Sequence, residues 1–587
     1  VGEVGQATRR DVVPFLVAVL AAIVLGPALA PGYTLIGDQV FVPDQSLLPW
    51  MLGLGAGLPR AVPQDAVVAL LTGPVPGWVW ETVALVAALV LLGTGVARLL
   101  RGAGTGTRCV AAVVAVWSPY VGERLLQGHW SLLLAVGVLP WALAAADDAR
   151  RGRSGSAARW ILWIALASLT PTGGLLVLAV SVPVLLWRSS APIRRRGAAV
   201  VAGALLQLPW AVPSVLHPSA VGADGVDVFA LRPDGPWGSL LAALGTGGIW
   251  NADAVLSSRG SVLAPVATVI LVALAVAGRR AVVEVLGRPV AVTLAAAAAL
   301  GLVIALAGAW EVTRPVTRWV VEWVPGGGLV RDGQKWLAPW LVLLSVSSAL
   351  GARRVARAAA RRWRDASLRR VVLVAVLLLP ILTLPDLSWG ALGRLASVDY
   401  PPDWGRAREV LATDPAPGDV VSLPWSTFRR FDWNVGRTVL DPAPRAMPRT
   451  VVTDTSLVVR RAGELVVVPG DDPRSTTIGD AVRRGDDLGP VLRQEGIGWA
   501  LVVPGAGTTG LPAAAELVVD GADLDLYRLS PPEPPPALTR VVPVLLGDAL
   551  AVLTLLVAAL AAVRSRRPGH ESDTPAAGDS APGATGW

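Results

Sequence analysis

The sequence predicts a polytopic α-helical membrane protein of about twelve transmembrane helices with a C-terminal extracytoplasmic α/β domain. Three observations carry this. Apolar runs of bilayer-crossing length recur along the chain, arginine alternates between successive connections, and one late stretch turns to a soluble composition. At 53% hydrophobic and 16% charged residues over 587 positions, the chain is too apolar for a soluble protein of this length.

A hydrocarbon core of about 30 Å takes roughly 20 helical residues. The runs are 12–30, 80–97, 108–117, 131–146, 160–170, 174–187, 197–216, 261–277, 289–309, 337–350, 371–385 and 541–563. Those at 108 and 160 are short. The first follows Arg9-Arg10 and ends in Ala28-Leu29-Ala30, which mimics a cleavable signal, but it is long for one and reads as a span.

Counting from a cytoplasmic N-terminus, the inner connections hold Arg9 and Arg10; Arg98, Arg101 and Arg108; Arg150, Arg151, Arg153 and Arg159; and Arg188 with Arg194 to Arg196. They continue with Arg279, Arg280 and Arg288, the eight arginines from Arg353 to Arg370, and Arg564, Arg566 and Arg567 in the tail. The outer connections hold Arg60, Arg124, none near Pro171, then Arg232 and Arg259. This is the positive-inside pattern, and it places both termini in the cytoplasm and the protein in the plasma membrane. The net charge of +8 is therefore topological and implies no nucleic-acid partner. One outer connection runs against the pattern: 310–335 carries Arg314, Arg318, Arg331 and Lys335. Anion binding accounts for Arg331 and Lys335, whereas Arg314 and Arg318 are equally explained by pairing with Glu311, Glu322 or Asp332.

The domain reading is a membrane domain over 1–385 with a long first outer loop at 31–79, an extracytoplasmic α/β domain over 386–540, a final transmembrane helix at 541–563, and a disordered cytoplasmic tail at 564–587. Within 386–540, strands are expected at 419–424 and 499–503, helices at 403–413 and 481–495, and a closing hairpin of 516–520 with 524–529 around Gly521.

Several chemistries are unsupported. A single cysteine, Cys109, makes no intramolecular disulfide, and His129, His217 and His570 are too scattered for a zinc motif. Gly326-Gly327-Gly328 lacks the Lys-Ser/Thr of a phosphate loop, and no nucleophile elbow is present.

The candidate site residues cluster in three outer loops. Lys335 is the only lysine among 51 basic residues, standing in Arg331-Asp332-Gly333-Gln334-Lys335, where a compact, rotatable charge is retained against an arginine background. An interfacial anchor beside Trp336 is the structural alternative. The first loop carries Asp38 and Asp44, with an amphipathic segment at 65–71 suited to the membrane interface. The loop after the third span carries Glu123, Arg124, Gln127 and His129.

A first outer loop with an acid soon after span one, many spans and an outer C-terminal α/β domain resemble the C-type superfamily of membrane glycosyltransferases, in its actinobacterial cell-envelope branch. Gly37-Asp38, residues 120–130 and Arg331–Lys335 carry the resemblance. The paired acids that many members have in the first loop do not occur here. The resemblance implies a polyprenyl-phosphate sugar donor and a glycan or lipid acceptor. On it, Arg331 and Lys335, with Arg124, would bind the donor phosphate and stabilise the leaving group. Asp38 would deprotonate the acceptor hydroxyl, its pKa raised by an apolar groove, or hold a divalent cation, the one cofactor implied. Glu123 is the second candidate base; His129, Asp44, Asp332 and Gln334 would support. Capping or an arginine pair explains Asp38 structurally, an adjacent ion pair explains Glu123-Arg124, and a satisfied helix-start residue explains His129. Asn251 and Asp253 could line an acceptor cleft. The alternative functions are a non-catalytic envelope scaffold or a transporter of lipid-linked substrate. The span interiors are almost purely Val, Ala and Leu, Gln207 excepted, and the chain shows no internal repeat, which weighs against transport.

Overall fold

The computed structural model describes residues 11–565 apart from 190, 218–222, 224, 325, 462–463, 505–509, 535–537 and 539. Arg9, Arg10, Arg566, Arg567, His570 and the rest of the expected tail lie outside the described residues.

The membrane part runs α1 (Val12–Leu25), α2 (Gln64–Thr72), α3 (Gly77–Leu99), α4 (Thr105–Val116), α5 (Pro119–Leu126) and α6 (Trp130–Arg150). It continues α7 (Ser156–Ala167), α8 (Pro171–Leu186), α9 (Ile193–Leu205), α10 (Leu208–Leu216), α11 (Gly225–Val228) and α12 (Gly238–Leu244). Then come α13 (Leu263–Leu286), α14 (Arg288–Ala307), α15 (Arg314–Trp323), α16 (Ala338–Arg362) and α17 (Leu368–Thr383), and much later a last helix, Val541–Arg564.

Among the described residues, 8 helical segments are long and apolar enough to cross a membrane, or up to 10 if each of two bent pairs is one span. All of the expected apolar runs fall on helices, four of which are short or bent, so the expected count of about twelve is approximate. The runs at 160 and 174 form α7 and α8, of 12 and 16 residues. At 1.5 Å per residue even the longer reaches only about 24 Å, short of the ~30 Å core. The other two are bent, by 57° between α9 and α10 and by 70° after α17. Proline explains both breaks: Pro209 and Pro385 have no N–H to continue the ladder. At the first, Gln207 Nε2 donates to Ser168 Oγ at 2.7 Å and to the Gly203 carbonyl at 3.1 Å, so the one polar residue noted in the span interiors has local partners.

The segment spanning α4 and α5 and the helix α6 form the centre of the bundle, 89% and 83% buried, whereas Val541–Arg564 is only 22% buried and lies at its edge. The connections sort to two ends. At one, Arg108 pairs with Asp11 at 2.7 Å, Arg150 donates to the Arg188 carbonyl and Arg353 to that of Ala103. At the other, Asp38 N donates to the Gln127 carbonyl, Tyr120 Oη to that of Lys335, Asn251 Nδ2 to Gln127 Oε1 and Ser257 Oγ to Asp386. The arginine-rich connections thus share one end and the arginine-poor ones the other.

The soluble part contains β1 (Asp419–Leu423), β2 (Phe428–Arg430), β3 (Thr438–Leu440), β4 (Val451–Val452), β5 (Leu457–Arg461), β6 (Glu464–Val468), β7 (Ile497–Val502), β8 (Glu516–Val519) and β9 (Asp525–Arg528). Its main sheet has the order β4-β1-β7-β9-β8, with β4, β1 and β7 parallel and the β8–β9 hairpin antiparallel at one edge. The helix expected at 403–413 is present as Pro402–Thr413. That expected at 481–495 is two helices, Pro473–Arg484 and Leu488–Gln494, because Gly485 turns left-handed at the first C-cap and Asp487 caps the second. The β2–β3 and β5–β6 hairpins were not anticipated. Three-residue strands leave little periodicity to read, while the Val-rich β5 and β6 carried a β signal in their sequence.

Candidate active site

Asp38 sits on a turn that three parts of the chain hold. Gly37 has φ +54°, and a Cβ there would meet the Gln127 carbonyl oxygen at 2.3 Å, so only glycine allows the approach. Gly128 mirrors it: φ is +80° and a Cβ would lie 2.3 Å from Gln39 N. The turn is fixed by Asp38 N donating to Gln127 O at 2.9 Å. The soluble domain grips it through β3, where Gly37 N donates to Thr438 O at 2.9 Å and Leu440 N to Gly37 O at 2.8 Å. From below, the buried Glu81 in the first turns of α3 accepts from Gln39 Nε2 at 2.5 Å and from Thr34 N at 3.2 Å.

The Asp38 side chain remains 41% exposed, and Oδ2 lies 3.0 Å from His129 Nε2. His129 Nδ1 lies 2.8 Å from Arg124 Nη1. Arginine can only donate, so Nδ1 is the acceptor and Nε2 carries the proton given to Asp38. The tautomer is thereby determined. Burial, aided by the Lys335 and Arg124 charges, lowers the His129 pKa against the Asp38 hydrogen bond and charge that oppose it, and with Nδ1 accepting, the ring is neutral. Arg124, fully buried, is itself oriented by Asp332, with contacts of 2.9 and 3.2 Å to its two oxygens, and by Gln334 Oε1. Lys335 Nζ stands 3.6 Å from Asp332 Oδ2, and its backbone carbonyl accepts from Tyr120 Oη at 2.9 Å.

The electrostatics reverse one expectation. Burial does push the Asp38 carboxyl upward, but the hydrogen bond from His129 and the charges of Lys335 and Arg445 outweigh it and hold Asp38 below the usual carboxylate value. Asp332 is likewise held well below the carboxylate range, its burial overcome by Arg124 and Lys335. Burial, with Arg60 nearby, brings Arg331 down to about 10, and it stays cationic at neutral pH.

The remaining sequence candidates divide. Asp332, Gln334, Lys335, Arg124 and His129 join Asp38 in one network. Glu123 touches that network only through Gln334 Nε2 at 2.9 Å; it is fully buried, its Oε2 also accepts from Ile249 N, and it does not pair with Arg124. Arg331 stacks over the Phe229 ring at 4.4 Å beside α11. Asp44 is elsewhere, paired with Arg408 at 2.6 Å, where it docks the first loop on the soluble domain. Arg314 and Arg318 pair with Asp227, a partner not considered from sequence, because α11 folds back on α15. Asp65 of the amphipathic segment pairs with Arg445 at 2.9 Å in the interior.

Sequence reasoning missed Glu81 and Asp234. Glu81 carried a signal, a carboxylate inside an apolar run. Asp234 pairs with Arg259 at 2.7 Å, and Gly247 separates it from Glu123: a Cβ on Gly247 would lie 2.3 Å from Asp234 Oδ2 and 2.9 Å from Glu123 Oε1.

The donor set at Asp38 does not fit a resident divalent cation. Among the described residues no three His, Cys, Asp or Glu side chains converge, and the neighbours of Asp38 are an N–H and cations rather than further oxygen ligands.

No family model matches the chain, and no curated protein does. Among solved structures it matches a mutant of the arabinofuranosyltransferase AftD from mycobacteria at TM-score 0.53 and 20% identity, over 89% of this chain and 41% of that one. The chain shares its fold with that structure over the matched region. It spans about two-fifths of the length of that structure. ArnT from Cupriavidus metallidurans, in the apo state, aligns at TM-score 0.46 and 13% identity over 89% of this chain and 98% of that one. The site described above lies at the end of the bundle that carries the soluble domain.

Proposed function

We propose that this protein transfers a sugar from a polyprenyl-phosphate donor to a cell-envelope glycan or lipid acceptor on the outer face of the plasma membrane. The observation that carries this reading is a half-exposed carboxylate, Asp38, fixed by a neutral His129 and set beside the Lys335 amine at one end of a membrane bundle. The acceptor hydroxyl oxygen attacks the anomeric carbon and its proton passes to Asp38. The bond from that carbon to the phosphate oxygen breaks, and its electron pair leaves on the phosphate. Lys335 and Arg331 stabilise that charge as it develops. Arg124 does not contact donor in this reading. It holds the His129 tautomer, which in turn aims Asp38. Glu123 is structural. Both termini are cytoplasmic and the soluble domain is extracytoplasmic.

The test is transfer by the purified full-length protein in lipid from labelled polyprenyl-phosphate sugars, comparing wild type with Asp38→Asn. Transfer that falls by roughly 100-fold or more, with donor binding kept, supports the assignment of the base. Survival of transfer in the variant removes Asp38 from that role, and absence of transfer from every donor favours the scaffold reading. Because the donor set at Asp38 does not suit a metal, chelation by EDTA is expected to leave the rate unchanged; a loss restored by magnesium or manganese would reinstate a cation.

A further inference from the structure

The helix α15 follows the last exposed turn of α14 and leads into the loop bearing Arg331 and Lys335. At 100° per residue its side chains fall into three sectors. Thr317 and Val321 face the protein and are buried. Arg314, Arg318 and Glu322 occupy a polar sector, from which both arginines pair with Asp227 of α11. The third sector is apolar and uncovered: Val312 just before the helix, then Val316, Trp319 and Trp323, at spacings of 4, 3 and 4. These four side chains are exposed, from 58% at Trp319 to 91% at Val312. A stripe of this size on a surface facing water would lose the stabilisation of burying two indoles and two valines.

We propose that α15 lies in the headgroup region of the bilayer, at the membrane face that carries Asp38, with its Trp stripe seated in the lipid. Two further observations select lipid over a protein partner. The stripe continues the lipid-facing surface of the outer half of α14, where Leu300 and Val303 are 60% and 63% exposed, through the exposed Trp310. The arginines of the polar sector are also engaged within the molecule, leaving tryptophan and valine alone on the open apolar side, the residue pattern of an interfacial helix. The anchor reaches the site through close backbone contact. Gly327 packs so tightly that a Cβ would sit 1.9 Å from the Val320 carbonyl oxygen, and the turn Gly327–Val330 leads directly to Arg331. On the functional reading above, α15 sets Arg331 at the depth of a lipid phosphate.

The experiment uses the full-length protein with Cys109→Ser, reconstituted in phosphatidylethanolamine/phosphatidylglycerol nanodiscs and spin-labelled at single cysteines. Trp323→Cys and Val316→Cys report the stripe, and Glu322→Cys reports the polar sector. Collision with oxygen, which partitions into lipid, is compared with collision with a water-soluble nickel chelate. The expected result is an oxygen-to-nickel ratio above unity at 316 and 323 and below unity at 322. Nickel-dominated collision at 316 and 323 would overturn the proposal by placing the stripe in water. Low collision with both reagents would overturn it by showing protein cover, such as a second copy of the chain. The readout is depth and not sugar transfer, so failure here leaves the catalytic assignment standing.

Discussion

At the scale of single residues, the site is a chain of hydrogen bonds in which each group is defined by the next: Asp332 orients Arg124, Arg124 selects the His129 tautomer, and His129 presents its N–H to Asp38. Asp38 acts as a carboxylate, and positive surroundings keep it ionised. Lys335→Met removes one of those charges, so the Asp38 pKa rises and the acidic limb of the kcat/KM profile moves to higher pH; Lys335→Arg retains the charge and should retain the limb. A pH–rate series on the three proteins checks this. For Asp332 the consequence is stability. Its folded pKa is depressed, so its contribution is complete above the usual value of 3.8 and is lost only as pH falls through a much lower folded value. Asp332→Ala leaves the buried Arg124 guanidinium without its main partner, at a cost of about 3–5 kcal/mol. Denaturation melts at neutral pH would register it as a large fall in Tm.

At the scale of elements, the soluble domain works as a clamp on the Asp38 turn. Besides the β3 contacts at Gly37, the buried Asn434 donates to the Leu35 carbonyl at 3.1 Å, and Tyr400 Oη to the Phe41 carbonyl at 3.0 Å. Tyr33 and Val398 exchange both backbone bonds. The domain therefore has a positioning duty regardless of what its outer surface binds. Asn434→Ala leaves the buried Leu35 carbonyl without a partner, at roughly 1–3 kcal/mol. We expect kcat to fall more than the donor KM rises, because the substitution displaces the base and leaves the cationic residues in place. Steady-state kinetics separate the two; equal effects on both constants would show that the clamp also shapes donor binding. Gly37→Ala should be harsher, since it meets both a left-handed φ and the Gln127 carbonyl.

At the scale of the whole molecule, the bundle sorts its connections by charge. The arginine-rich end carries Arg108, Arg150 and Arg353, and the other end carries the site and the soluble domain. This predicts an asymmetric labelling pattern in sealed vesicles or intact cells. In a Cys109→Ser background, a cysteine at Asp523 should react with a membrane-impermeant maleimide added outside. One at Ser565 should react only after permeabilisation. The opposite pattern would invert the topology and place the site on the cytoplasmic face.

Hydropathy and arginine placement were legible along the chain because both are local sums: each span carries its own signal, and each connection its own charge. The membrane class, the location of the soluble domain and the cluster around Lys335 follow from them without any tertiary knowledge. The count of about twelve spans is approximate because hydropathy does not register a proline break or a helix shorter than the core. The pairings were not legible. Asp38 meets His129 across 91 positions, Arg124 meets Asp332 across 208, and Asp65 meets Arg445 across 380. No local rule ranks one distant carboxylate over another as the partner of an arginine. Only packing does, and so only the tertiary structure could lower Asp38 where sequence reasoning had raised it, send Asp44 to Arg408, and seal Glu123 away from the surface.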